Sequence, residues 1–280
     1  MIYDVMSGPM VPPMARCGGQ RSSWRRRLRP LPVREGCSVV ALVASHITSR
    51  RRLQYLEHCL SSVTAQTARL DGLYISWHAD DTLVADVLTL FRRVKLSLRF
   101  RPLRQLSRCS QYEHLSSALE GCLREAPHRD VPLWVSFADD DDLWHPQRVE
   151  LIRAACVGAS PRTGAFTFGV YAYPIEQLPH EVRGSEEAQR ALDSRQAAVW
   201  VGASEVFQFV VRHPILETFL KTEPASVLGH RFADVRFAQY VRRQQQCGVR
   251  RVGPEPYLLR HDWSITWYSH SITWHRWWLS

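Results

Sequence analysis

Residues 131–146 read VPLWVSFADDDDLWHP. A largely apolar run of strand length, Val131 to Ala138, passes directly into four carboxylates, Asp139 to Asp142. An apolar run without polar alternation suits a strand buried on both faces, the kind found in parallel sheets. Adjacent carboxylates repel unless a cation offsets the charge or the side chains diverge. A turn leaving a strand aims alternate side chains at one point. Asp139 and Asp141 are then expected to face a common ligand, with Asp140 or Asp142 turned to backbone amides. Hard oxygen donors suit Mg²⁺ or Mn²⁺, which usually take one or two protein carboxylates together with substrate phosphates. A second reading is a helix N-terminus. Asp near the first turn suits the macrodipole, and Pro146 fits position N1 of a helix through Val149 and Ile152. That reading accounts for Asp142 and Pro146 but not for four carboxylates at the end of a buried strand.

The preceding chain alternates strands and helices. SVVALVAS (38–45) is an apolar, β-branched run. Leu53, Leu56, Leu60 and Val63 then recur at helical spacing to about residue 66. GLYISWH (72–78) and KLSLRF (95–100) read as strands, and 82–93 and 111–125 as helices. This βαβ order predicts an α/β fold, a mostly parallel sheet with helices on both faces, whose ligands gather at the carboxyl ends of the strands. Neither G-x-G-x-x-G nor a P-loop is present. Farther on, GAFTFGVYAY (164–173), AAVWVGA (197–203) and PYLLRH (256–261) read as strands, and 214–221 and 231–245 as helices. The polar stretch 174–195 reads as a loop or a short helix.

Bulk properties bound the class. The chain has 280 residues, 45% of them hydrophobic and 22% charged, as in a globular domain with ample core. The longest purely apolar run, Val39 to Ala44, is far short of a membrane span. The start lacks the pattern of a secretory signal. The seven cysteines are scattered and contain no C-x-x-C, which argues against a zinc module or a disulfide scaffold. A reducing compartment, the cytoplasm, is expected, with organelle targeting by the basic leader left open. Of the net charge of +9, residues 1–36 supply +5, through seven Arg against Asp4 and Glu35. This leader reads as disordered: a transit segment, a nucleic-acid arm or a solvated tail. The globular part has no helix-turn-helix or RNP pattern, so nucleic acid is not the expected partner. Residues 263–280 hold five of the ten Trp, suited to packing across the domain, to stacking on sugar faces or to a membrane interface.

The string D-x-D-D-x-W-x-P after a strand resembles the GT-A glycosyltransferases of the family 2 type. Asp139, Asp141, Asp142, Trp144, Pro146 and Arg148 fall at the matching positions. RLQYLEHCLSSVTAQT (52–67) resembles that family's first helix. FADVRFAQYVRR (232–243) resembles the helix opened by its catalytic Asp, and YLLRHDWSIT (257–266) its late R-x-H segment. The resemblance spans about 38 to 266 and implies a GT-A-like domain over 37–262. It implies a metal-dependent, inverting transfer of sugar from a nucleotide-diphosphate donor to an acceptor hydroxyl on a glycan, lipid or protein.

By position, the resemblance gives Asp139 to the donor's ribose and Asp141 to Mn²⁺ or Mg²⁺. Asp234 becomes the general base, and Arg260 and His261 approach the diphosphate. Asp142, Trp144 and Gln111 are possible support. The chain departs from the family where the nucleobase is held. The first strand ends in Ala44-Ser45-His46-Ile47, and SWHADD stands where D-D-G-S is usual, leaving Asp80 or Asp81 for the base. SQYEHLSSAL (110–119) replaces A-R-N-x-G, bringing Gln111, Glu113 and His114 near that place. For Asp234 a helix N-cap or first-turn charge is the alternative, and for Arg260 and His261 a solvated strand end. For the whole chain the alternatives are a catalytically inactive sugar- or nucleotide-binding module and a nucleotidyltransferase on a similar fold.

Overall fold

The computed structural model describes residues 36–94, 99–125, 131–168, 170–174, 198–200, 206–230, 232–244, 248–252 and 257–261. The basic leader up to Glu35, the polar stretch from 175 and the Trp-rich tail lie outside the described residues.

β1 (Ser38–Ile47) continues the apolar run two residues beyond the expected end. α1 (Arg50–Thr64) starts where the Ser49 hydroxyl accepts the backbone N–H of Arg52 at 3.2 Å. It buries Leu56, Cys59, Leu60 and Val63, the face set by their three- and four-residue spacing. β2 (Gly72–Ala79) and β3 (Arg99–Arg104) follow, with α2 (Val84–Arg93) between them. α3 (Gln111–Glu125) opens with a reciprocal cap. The Ser110 N–H donates to Glu113 Oε2 at 2.6 Å, and the Glu113 N–H to Ser110 Oγ at 3.3 Å. β4 (Leu133–Asp139), β5 (Leu143–Trp144) and α4 (Arg148–Val157) carry the acidic segment. Beyond them come β6 (Thr163–Phe168), β7 (Val170–Pro174), β8 (Ala198–Trp200) and β9 (Phe209–Arg212). The described chain ends through α5 (His213–Thr222), α6 (Ala225–Leu228), α7 (Ala233–Arg243), β10 (Gly248–Val252) and β11 (Tyr257–His261).

Seven strands form one sheet in the order β10-β6-β9-β4-β1-β2-β3, and β5-β11-β7-β8 form a second. In the larger sheet β9 runs antiparallel to β4 and β6, and the remaining neighbours are parallel. The expected α/β architecture is present: a mostly parallel sheet flanked by helices. The chain leaves β1 toward β2 and β3, then returns to pair β4 on β1's other side, so the strand order reverses between β1 and β4. At such a switch point the strand ends leave a crevice. The register pairs Ala44 with Asp139 and so sets the two carboxyl ends side by side.

Several local expectations are corrected. Of the strand expected over 95–100, residues 99 and 100 open β3, which runs on to Arg104; 95–98 lie outside the described residues. It includes Pro102, tolerated because β3 is an edge strand of the sheet. The single strand expected over 164–173 is two, β6 in the large sheet and β7 in the small one. Pro146 is not at N1 of a helix. α4 starts at Arg148 after Gln147, and Asp139–Asp142 form a turn closed by the Asp142 N–H on the Asp139 carbonyl at 3.2 Å. The acidic run therefore does not cap a helix. Among the described residues no helix is long and apolar enough to cross a membrane.

Candidate active site

A cavity of about 650 Å³ opens at the carboxyl ends of β1 and β4. Its walls include Ser45 and His46 from β1, Arg52 from α1, and Gln111, Tyr112 and His114 from α3. Asp139, Asp140 and Asp141 line it from the acidic turn, and Asp234 from the first turn of α7.

The four aspartates part company as the turn leaves the strand. Asp139 accepts a hydrogen bond from Gln111 Nε2 at 3.0 Å. Asp140 is buried and accepts the Ser45 hydroxyl at 2.6 Å and the His46 backbone N–H. The amide contact expected of Asp140 or Asp142 is thus made by Asp140. The Arg52 guanidinium spans two carboxylates, Nη1 at 2.7 Å from Asp141 and Nη2 at 2.5 Å from Asp140. Asp142 is buried and does not line the cavity.

Burial first, then the charges of Asp141, Asp234 and Asp140, raise the pKa of Asp139 well above the usual carboxylate range, with Arg52 opposing. Asp140 is raised by burial and by Asp141. Burial works against the charged form of Arg52, but Asp140 and Asp141 more than offset it and raise its pKa. Acidic groups held together despite such shifts make this cavity a candidate functional site.

Asp234 reaches the cavity because α7 is anchored one turn later. The Phe237 ring lies 5.0 to 6.1 Å from those of Tyr112, Phe137, Phe209 and Phe219. Tyr112 donates its hydroxyl to Asp234 Oδ1 at 2.9 Å. On the β1–β2 side, the buried His114 has Nδ1 2.9 Å from the Ser76 hydroxyl, and that oxygen also accepts Gln105 Nε2 at 2.9 Å. His114 Nε2 is buried without a hydrogen-bond partner. Burial, and after it His46 and His78, hold the His114 pKa down to about 4, so the ring is neutral near pH 7.

The turn is braced from below. Gln66 donates to the His145 carbonyl at 3.0 Å and accepts the Val149 N–H at 3.1 Å, satisfying an orphan donor in the first turn of α4 from outside that helix. The Trp144 N–H donates to Ser62 Oγ at 3.0 Å, and the Thr67 N–H to the Pro146 carbonyl at 2.9 Å. The Cys59 thiol, its pKa raised by burial, donates to the Asp139 carbonyl at 3.2 Å. Trp144 and Arg148 are both fully buried; the guanidinium lies 4.8 Å from the Trp144 ring and donates to the Phe207 carbonyl at 2.8 Å.

Of the residues singled out from sequence, Asp139, Asp141, Asp234, Gln111 and His114 line one cavity. Asp81 stands fully exposed outside it, 3.8 Å from Arg104. Arg260 and His261 occupy β11, in register with Tyr173 and Pro174 of β7. Arg52, Ser45 and Tyr112 were not anticipated. Arg52 is one of three consecutive arginines, and nothing in the string tells which of them faces the carboxylates. Tyr112 sits in the apolar pattern of α3, where a tyrosine reads as core.

Among the described residues no group of three or more His, Cys, Asp or Glu is arranged to hold a metal ion alone. The donor set nevertheless fits Mg²⁺ or Mn²⁺ shared with a ligand, since these ions take one or two carboxylates and complete their shell with phosphate and water. Asp141, with Asp139 beside it, offers those carboxylates on the cavity wall.

No protein-family model matches the chain, and comparison with curated protein sequences finds no match. Solved structures do resemble it. S. aureus TarS 1-349 in complex with UDP is 11% identical over 80% of this chain and 60% of its own, with a TM-score of 0.50. A longer TarS structure is 11% identical over 80% of this chain and 37% of its own, with a TM-score of 0.51. TarS 1-349 in complex with UDP-GlcNAc is 9% identical over 80% and 58%, with a TM-score of 0.50. This chain therefore spans less than two thirds of each of those chains. The likeness shows the fold: a GT-A-like glycosyltransferase fold, in a single α/β domain.

Proposed function

We propose that this protein is a glycosyltransferase, family 2-like and inverting, that moves a sugar from a nucleotide-diphosphate donor to an acceptor hydroxyl with the help of Mn²⁺ or Mg²⁺. The observation that carries the reading is the meeting of Asp139, Asp141 and Asp234 on one cavity at the β1–β4 switch point, although α7 is remote in sequence from β4. The GT-A-like fold, shared with TarS structures that hold UDP and UDP-GlcNAc, supports a nucleotide-sugar donor. On this reading the transferase domain covers 37–262, between the basic leader and the Trp-rich tail.

Asp139 binds the donor's ribose, with Gln111 fixing its carboxylate, and Asp141 is the protein's ligand to the divalent cation. When bound, that cation supplies positive charge against the departing diphosphate. Asp234 takes the proton from the acceptor hydroxyl as its oxygen bonds the anomeric carbon. The bond from that carbon to the diphosphate oxygen breaks on the opposite face, and its electrons leave with the nucleoside diphosphate. Tyr112 holds Asp234 in place for this step. Arg260 and His261, on β11, are assigned to the diphosphate, and Asp81 is the weakest member of the set because it stands outside the cavity.

The test is a thermal-shift series with UDP and GDP, with and without Mn²⁺, on wild type and Asp141→Ala. A ligand that binds the folded state raises the melting temperature by mass action. Metal-dependent stabilisation that Asp141→Ala abolishes is the expected result, together with an Asp234→Asn variant that binds the nucleotide but turns over no nucleotide sugar. Absence of any nucleotide shift overturns the reading. Turnover retained by Asp234→Asn removes the assignment of the base.

A further inference from the structure

The proposed transfer makes no use of Arg52, yet this side chain holds the centre of the acidic turn. Its backbone is fixed in the first turn of α1 by the Ser49 cap. Its fork bridges two carboxylates of unequal standing. Asp140 is 4% exposed and also held by Ser45. Asp141 has a third of its side chain exposed on the cavity wall, and Arg52 itself is 34% exposed. One arm of the guanidinium is therefore anchored on a buried group, and the other rests on a carboxylate that a ligand can reach.

A divalent cation on Asp141 and a guanidinium 2.7 Å from an oxygen of that carboxylate repel each other at close range. A planar guanidinium is also well shaped for phosphate, which it can grip through two N–H bonds. We propose that Arg52 is a resident counter-cation of the donor site: it pairs with Asp141 in the free protein, yields that carboxylate to the divalent cation, and turns the freed Nη1 to the donor's diphosphate while Nη2 stays on Asp140. The proposal rests on the donor-site reading above.

It makes two effects of opposite sign. Arg52 competes with a metal ion that arrives alone and assists a nucleotide diphosphate. A residue that only braced the turn would, on removal, weaken both ligands, and one that only gripped phosphate would leave metal binding unchanged.

The experiment uses the full chain as wild type, Arg52→Gln and Arg52→Lys. Calorimetry measures Mn²⁺ alone, then UDP or GDP, whichever wild type binds, in saturating Mn²⁺. Arg52→Gln is expected to bind Mn²⁺ about five- to tenfold more tightly and the nucleotide about tenfold more weakly, within the usual range of coupling between two ligands. Mn²⁺ affinity that is unchanged or weaker in Arg52→Gln overturns the proposal. So does nucleotide binding that needs Asp141 but is indifferent to Arg52→Gln, and that outcome leaves the donor-site reading standing. If wild type binds neither Mn²⁺ nor nucleotide, the donor-site reading falls and takes the proposal with it. Should Arg52→Gln not fold, Arg52→Lys decides. It keeps the competing charge and loses the fork, so unchanged Mn²⁺ affinity with severalfold weaker nucleotide binding supports the proposal, and unchanged nucleotide binding overturns it.

Discussion

The hydroxyl of Tyr112 stands 2.9 Å from Oδ1 of Asp234 and ties α3 to the first turn of α7. The Tyr112 ring is fully buried against Phe219 and Phe237, so the phenol has little freedom to point elsewhere. Tyr112→Phe keeps the packing and removes the bond. A hydrogen bond to a charged group contributes about 1.5–3 kcal/mol, so turnover of a nucleotide sugar should fall about tenfold or more. Nucleotide affinity and melting temperature should stay near wild type. Full turnover in Tyr112→Phe would show that this bond is not what positions Asp234.

Phe237 is the hub that keeps α7 against the sheet. Phe237→Ala leaves a hole among four aromatic rings and should cost about 3–5 kcal/mol in urea unfolding. Phe237→Leu, which keeps most of the apolar volume, should cost markedly less. Loss of stability below about 1 kcal/mol for the alanine variant would mean that the ring cluster collapses to refill the space.

His114 makes stability depend on pH with a definite sign. Its folded pKa, lowered to about 4 by burial first and by His46 and His78 next, lies below the ordinary value of 6.5. The unfolded chain therefore takes up a proton near pH 6.5 that the folded chain refuses, and the resulting loss of stability grows as pH falls from about 6.5 toward 4. Glu113 opposes this shift, and the raised carboxylates Asp139 and Asp140 act with the opposite sign. The quantity to measure is therefore the difference in unfolding free energy between wild type and His114→Gln. That difference should shift against wild type across this window and stay flat above pH 7.

Gln66 should matter beyond its own neighbourhood. Gln66→Ala removes bonds to the Ser62 carbonyl, the His145 carbonyl and the Val149 N–H. A cost of about 1–3 kcal/mol in unfolding is expected, chiefly from the part-buried Val149 N–H, since the His145 carbonyl still accepts the Arg148 N–H. Weaker nucleotide binding in Mn²⁺ should accompany it, since the same bonds shape the acidic turn. Unaltered nucleotide affinity in a destabilised Gln66→Ala would separate the brace from the site.

The parts of this fold that could be read from the string are those whose local pattern and tertiary fate agree. β1 is apolar because it is buried on both faces. α3 starts after Ser110 because Ser110 and Glu113 cap each other, and it is helical through Glu125, the last described residue of the expected helix. β9 was not readable. Its four residues run straight into α5 at His213, and Pro214 marks the helix start rather than the strand. β5, two residues long, exists through its pairing with β11. For the candidate site, the acidic run announced itself by charge, and Asp234 through family resemblance. Arg52 and Tyr112 were hidden because one guanidinium in a triplet, or one phenol in an apolar stripe, acquires its role from partners far away in sequence.

That distance has a consequence for the order of assembly. Gln66 meets partners 79 and 83 residues downstream, and Ser62 one 82 residues away. A nascent chain that has extruded α1 holds half of a clasp whose other half is not yet made. The four like charges repel in water, and the expected step that draws them into register is the arrival of His145 and Val149 at Gln66. Deuterium uptake at the amides of Thr67, Trp144 and Val149 is then expected to slow as a group, later than the amides within α1; simultaneous protection of all of them would overturn this order.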